Sequence, residues 1–117
     1  MMNMPTAGKI FLHRDATDMR KSFDGLVGII RSQLGCDPKD GSLFLFINGR
    51  RDRIKAMYWD RDGMALWYKR LERGTFEWLQ ASGADAAIYI DATQLALILG
   101  GVSLESAKRR KRFAKAA

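Results

Sequence analysis

The chemistry this sequence could carry is concentrated between Arg50 and Arg73, a stretch with eight cations and four carboxylates. Arg50, Arg51, Arg53, Lys55, Lys69, Arg70 and Arg73 crowd the ends of expected hairpins, with Trp59 and Trp67 between them. Guanidinium and ammonium groups at this density attract polyanions, above all the phosphates of nucleic acid. The two tryptophans could stack on a base or form a partner-binding hot spot. They could equally be burial payload under a helix, with lysine stems snorkelling past. Other chemistries find less support. Asp60 and Asp62 could bind a divalent cation with a substrate phosphate, but Asp is a common turn residue because its side chain bonds nearby amides. The turn is the preferred reading. His13 is the sole imidazole, and Ser22 and Ser32 have no second histidine to activate them. Cys36 stands between Gly35 and Asp37 with no group to stabilise a thiolate. The glycines form no phosphate-binding fingerprint. No catalytic residue, metal or cofactor is therefore expected, and the protein is not read as an enzyme.

Charge placement adds a second basic element. The last ten residues, KRRKRFAKAA, hold Lys108, Arg109, Arg110, Lys111, Arg112 and Lys115. Without these six the remaining 14 Lys and Arg nearly balance 13 Asp and Glu. The expectation is a single α+β domain over residues 1–102 and a basic tail, disordered or helical, over 103–117. Such tails favour nucleic acid, anionic lipid or acidic proteins. At 117 residues and 47% hydrophobic the chain is one domain long and can bury a core. No apolar run reaches the roughly 18 residues of a membrane span, no export signal is read at the N-terminus, and a single cysteine suits a reducing compartment. A cytoplasmic location and no membrane partner are expected.

The elements that must position these groups follow from pattern. Lys9–His13 reads as a strand. Thr17 is a candidate N-cap for a long helix to about Leu34, with Met19, Phe23, Leu26, Val27, Ile30 and Leu34 forming one apolar stripe and Gly35 at its end. Gly25 and Gly28 within it suggest close packing against a strand. Leu43–Ile47 is apolar on both faces and so belongs in the middle. Arg53–Trp59, Met64–Arg70 and Thr75–Trp78 follow as strands, and Ile88–Ile90 as one more. Asp91 or Thr93 caps a short helix through Leu99, stopped by Gly100-Gly101. The expected architecture is a three- to five-stranded antiparallel meander packed by one long N-terminal helix, with a short C-terminal helix.

Turn chemistry suggests the register. Gly63 after Arg61-Asp62 fits a three-residue loop, which pairs Tyr58 with Leu66 and sets Lys55 opposite Lys69. One face would then carry Ile54, Ala56, Tyr58, Met64, Leu66 and Tyr68 as core. The other would show Arg53, Lys55, Trp59, Trp67 and Lys69. A loop over Asn48–Asp52 would add Phe44 and Phe46 to the core face. A one-residue slip would move every side chain to the opposite face.

Three blocks, in order, carry a family resemblance: TDMRKSFDGL (Thr17–Leu26), GSLFLFINGRRDRIKAMYWDRDGMALWYKRLERGTFEW (Gly41–Trp78) and TQLALILGG (Thr93–Gly101). Over roughly residues 9–101 the chain resembles the small accessory protein of the second reading frame of the sixty-six family of insertion sequences, called TnpB there and distinct from the RNA-guided nuclease of that name. The resemblance implies a role in transposition beside a separate catalytic transposase, and supplies no catalytic site to carry over. Its implied partners are DNA, as transposon ends or nonspecifically, and the transposase of the same element. The oligomeric state is left open.

Overall fold

In the computed structural model, which describes residues 8–77 and 85–100, five strands form one mixed sheet. In chain order the elements are β1 (Ile10–His13), α1 (Phe23–Ser32), β2 (Leu43–Ile47), β3 (Arg53–Asp60), β4 (Gly63–Arg70), β5 (Ala87–Ile90) and α2 (Ala92–Leu99). The spatial order is β4-β3-β2-β1-β5. β1 and β2 are parallel, and every other neighbouring pair is antiparallel. Parallel strands need a crossover connection, and α1 lies within it.

Both faces of the sheet are covered. On one, Leu26, Ile29 and Ile30 of α1 pack on Phe44, Phe46 and Met57. On the other, Leu95 and Ile98 of α2, with Phe76, pack on Leu43, Leu45, Ile47, Ile54 and Ala56. That is why LFLFI is apolar at every position: β2 is central and all five of its residues are buried.

This architecture corrects the expected one. The N-terminal helix is short, and the sheet is mixed rather than an antiparallel meander. Residues 17–22 do not join α1, because their polar groups are engaged elsewhere. The Thr17 hydroxyl bonds His13 Nδ1 (3.2 Å), and the Thr17 amide donates to the Ile47 carbonyl (2.9 Å). Asp18 bonds the Arg20 amide (2.9 Å) and the Lys21 amide donates to the Asp18 carbonyl (3.1 Å), forming a compact turn. Lys55 Nζ then takes the carbonyls of Met19 and Lys21. These contacts hold residues 17–22 in a turn fastened to the sheet, and α1 starts only after Ser22. At its far end Gly35 adopts φ +65°, and the Cys36 amide closes on the Ile30 carbonyl at 3.0 Å. Gly25 and Gly28 do not pack on a strand. A side chain at Gly25 would meet Lys21, and one at Gly28 would point into open space. Residues 75–77 lie in no strand, and Trp78 falls outside the described residues.

The register also differs by one residue from the expectation. Asp60 pairs with Gly63, so the β3–β4 loop has two residues. Arg61 takes φ +55°, and the Asp62 amide donates to the Asp60 carbonyl at 2.6 Å, the i→i+2 closure of a γ-turn. Lys55 therefore faces Tyr68, Ile54 faces Lys69, and Phe46 faces Lys55. Phe44, Phe46, Lys55, Met57, Trp59 and Tyr68 share the α1 side, whereas Ile54, Ala56, Tyr58 and Trp67 share the α2 side.

Candidate nucleic-acid interface

The β2–β3 connection spans Asn48–Asp52 and is built around one side chain. Asn48 Oδ1 accepts from the amides of Asp52 (3.1 Å) and Arg53 (3.0 Å), while its Nδ2 donates to Asp52 Oδ1 (2.7 Å). That amide contact holds the Asp52 carboxyl below its ordinary range, with the Arg53 and Arg50 charges adding to the effect. The Arg51 amide donates to the Asn48 carbonyl at 3.0 Å, and Arg51 itself sits at φ +62°. A left-handed arginine is unusual because its Cβ crowds the following carbonyl. Here the conformation turns the Arg51 carbonyl toward the Phe76 amide (2.6 Å), and the Asp52 carbonyl receives the Leu71 amide (2.8 Å). Two backbone bonds thus tie the segment after β4 to this loop, and with it Arg70 and Arg73.

One end of the sheet therefore gathers Arg50, Arg51, Arg53, Lys69, Arg70 and Arg73. Arg53 and Arg70 are directly opposite each other. Like charges at that position are unfavourable by a few tenths to about 1 kcal/mol unless something anionic lies between them. Arg50, Arg51, Lys69, Arg70 and Arg73 are exposed. Among the described residues, Arg50, Lys69, Arg70 and Arg73 form no ion pair. The 14–21 segment reaches the same end, since Thr17 bonds the last residue of β2. It carries Lys21 and Arg20, whose guanidinium is held by Asp18 at 2.7 Å, whereas Arg14 is turned to the β5 side, its Nε donating to the Asp85 carbonyl at 2.6 Å. Arg20 hydrogen bonding pulls the Asp18 carboxyl from 3.8 down to about 2.

Lys55 does not join this surface. It is 5% exposed, and its ammonium donates to the carbonyls of Met19 (2.8 Å) and Lys21 (2.6 Å) beneath the Tyr68 ring. Its work is to fasten the 17–22 turn to the sheet. Trp59 and Trp67 do not form one patch either, because the register sends them to opposite faces. Trp67 packs with the α2-side core, and Trp59, half-buried, lies under Lys39 Nζ at 4.9 Å. Asp60 and Asp62 occupy the opposite end of the sheet. Among the described residues no three His, Cys, Asp or Glu side chains could share a metal ion. His13 is buried and finds partners the sequence did not reveal: its Nε2–H donates to Gln33 Oε1 at 2.8 Å, besides the Thr17 contact. Burial raises the pKa of the Cys36 thiol, with Asp40 adding to it. The tail cations Lys108, Arg109, Arg110, Lys111, Arg112 and Lys115 lie outside the described residues.

Sequence reasoning missed Tyr68, expected in the core and found 48% exposed within this basic end. A signal for Tyr68 existed: strict alternation from Met64 makes it a neighbour of Arg70 on one face. No helix in the described residues is long and apolar enough to cross a membrane.

Comparison with known proteins agrees with the motif blocks. The family model described as IS66 Orf2 like protein matches residues 8–109. An uncharacterized Sinorhizobium fredii protein, y4jC, is 34% identical over 107 residues, covering 91% of this chain and 90% of its own. A second uncharacterized protein of that organism, y4hO, is 35% identical over 94 residues, 80% of each chain. No solved structure matches. With the family model spanning nearly the whole sheet and both helices, the chain belongs to the IS66 Orf2-like family of insertion-sequence accessory proteins.

Proposed function

We propose that this protein assists transposition without catalysing a reaction itself, by gripping DNA phosphates through the basic end of its sheet and its C-terminal tail. The observation that carries this reading is the convergence of Arg50, Arg53, Lys69, Arg70 and Arg73 on one end, none of them in an ion pair among the described residues. Asp52, bonded to Asn48, offsets part of the Arg50 and Arg53 charge, and Asp18 is taken by Arg20, but the cations at this end outnumber its carboxylates. The sheet-end cations sit on loop and strand ends, and among the described residues none of them lies on a helix. Contacts of this type position a duplex without reading its sequence.

The experiment is a duplex-DNA titration over a range of salt with three full-length proteins: wild type, a sheet-end variant (Arg50→Gln, Arg70→Gln, Arg73→Gln) and a tail variant (Arg109→Gln, Arg110→Gln, Arg112→Gln). Each lost phosphate contact should flatten the log–log salt slope by about 0.9, so each triple variant should lose between two and three units if all its cations engage. Wild-type binding that is salt-insensitive, or absent, removes the reading. The alternative is an adaptor that touches only the transposase. It loses the joint Trp59/Trp67 patch that suggested it, and is tested by coexpression pull-down with the transposase of the same element. Capture without any DNA affinity would establish it instead.

A further inference from the structure

Phosphate gripping alone gives no use to an exposed aromatic ring among the arginines. Tyr68 is such a ring. It is one of three large apolar or aromatic side chains that are exposed, with Phe23 and Tyr89, among the described residues. It stands on β4, an edge strand of the sheet. Its partner across the ladder is Lys55, whose buried ammonium lies 4.7 Å from the ring centroid. Its hydroxyl accepts from Arg53 Nη1 at 3.5 Å. The ring is thus held from the protein side by one cation and at its tip by another, while about half of it stays in solvent.

Arg70 lies two residues further along the same face, roughly 7 Å away by the strand rise, and is paired with Arg53. The Lys21 carbonyl caps the same Lys55 ammonium, and exposed Phe23 follows two residues later. A fixed, half-open aromatic face flanked by guanidinium groups is how proteins hold an unpaired base while binding its phosphates. A base inside an intact duplex offers no free π-face for this.

We propose that Tyr68, flanked by Arg53 and Arg70, is a stacking platform for an unpaired base, so that the preferred ligand is single-stranded DNA or a frayed DNA end. This rests on the DNA-binding reading above. Tyr68 supplies the stacking surface, Arg53 and Arg70 take the adjoining phosphates, and Lys55 sets the ring's position from below.

The test uses the full-length protein and two labelled strands of equal length and charge, an oligothymidine and an abasic oligodeoxynucleotide, read by fluorescence anisotropy. The abasic strand keeps the phosphates and lacks the π-faces. Wild type is expected to bind the thymidine strand about tenfold more tightly, the size of one stacked base. Tyr68→Ala should erase that preference, and Tyr68→Phe should preserve it. Equal, salt-sensitive binding of both strands by wild type would overturn the platform and leave phosphate gripping intact. Binding of neither strand nor duplex would overturn both. The wild-type comparison needs no substitution, so a poorly folding variant cannot obscure the answer.

Discussion

Lys55 donates a 2.6 Å hydrogen bond to the backbone carbonyl of Lys21, thirty-four residues earlier in the chain. One cation of the sheet is thereby spent on internal structure, and the carbonyl it captures belongs to a turn that presents other cations. The contact explains why Lys55 is buried without a carboxylate, and it fastens to the sheet the turn that precedes the first helix.

Replacing Lys55 by Met should keep much of its apolar stem and orphan two carbonyls, those of Met19 and Lys21. Hydrogen bonds to charged groups contribute about 1.5–3 kcal/mol, so a loss of stability near the upper end of that range is expected in urea denaturation. The salt slope of DNA binding by the folded protein should stay at the wild-type value, because this ammonium faces no phosphate.

Arg61→Gly should stabilise the protein. The wild-type residue sits at φ +55° in the β3–β4 turn, a conformation that costs a residue with a side chain roughly 1–2 kcal/mol and glycine almost nothing. Part of the gain is offset by the greater freedom of glycine in the unfolded chain. A modest rise in melting temperature is the expected result. DNA affinity should be little changed, since Arg61 lies at the end of the sheet away from Arg50 and Arg70.

Gly28→Ala addresses helix propensity alone. Gly28 is exposed within α1 with helical backbone, and nothing lies within 4 Å of the added methyl. Alanine is favoured over glycine there by about 1 kcal/mol, which corresponds to a melting temperature higher by roughly 4–8 °C in a domain of this size. Differential scanning calorimetry checks this.

Asp18 should titrate far below an ordinary aspartate. Arg20 hydrogen bonding holds it at about 2, against about 3.9 in an unfolded chain. The folded pKa is the lower one, so the Asp18–Arg20 contribution is fully present above about pH 4 and is lost as pH falls through about 2. Carboxyl-carbon NMR on wild type and Arg20→Gln reads it directly, with the variant's value moving up toward 3.8. Both side chains are solvent-facing, so added salt should weaken the effect.

Much of the element plan was legible in local pattern. LFLFI is central because it has no polar face. Gly35 stops α1 through a left-handed conformation that glycine adopts freely, and Asp91 with Gln94 forms the capping box that opens α2. The crowding of arginines around two chain reversals was legible as well, because loop positions and charge are properties of short stretches. Family membership was carried by ordered blocks of residues and needed no coordinates.

Only the tertiary structure decided which side chains share a face. Strand periodicity is two, so the choice of Arg61 rather than Gly63 as the left-handed residue moved Tyr68 out of the expected core and separated Trp59 from Trp67. A γ-turn centred on arginine has no compositional signature. The parallel pairing of β1 with β2 was likewise hidden, because it depends on contacts between residues more than thirty positions apart. Lys55 shows the same limit: a lysine in an alternating strand reads as solvent-facing, and only the distant carbonyls of the 17–22 turn make its burial affordable.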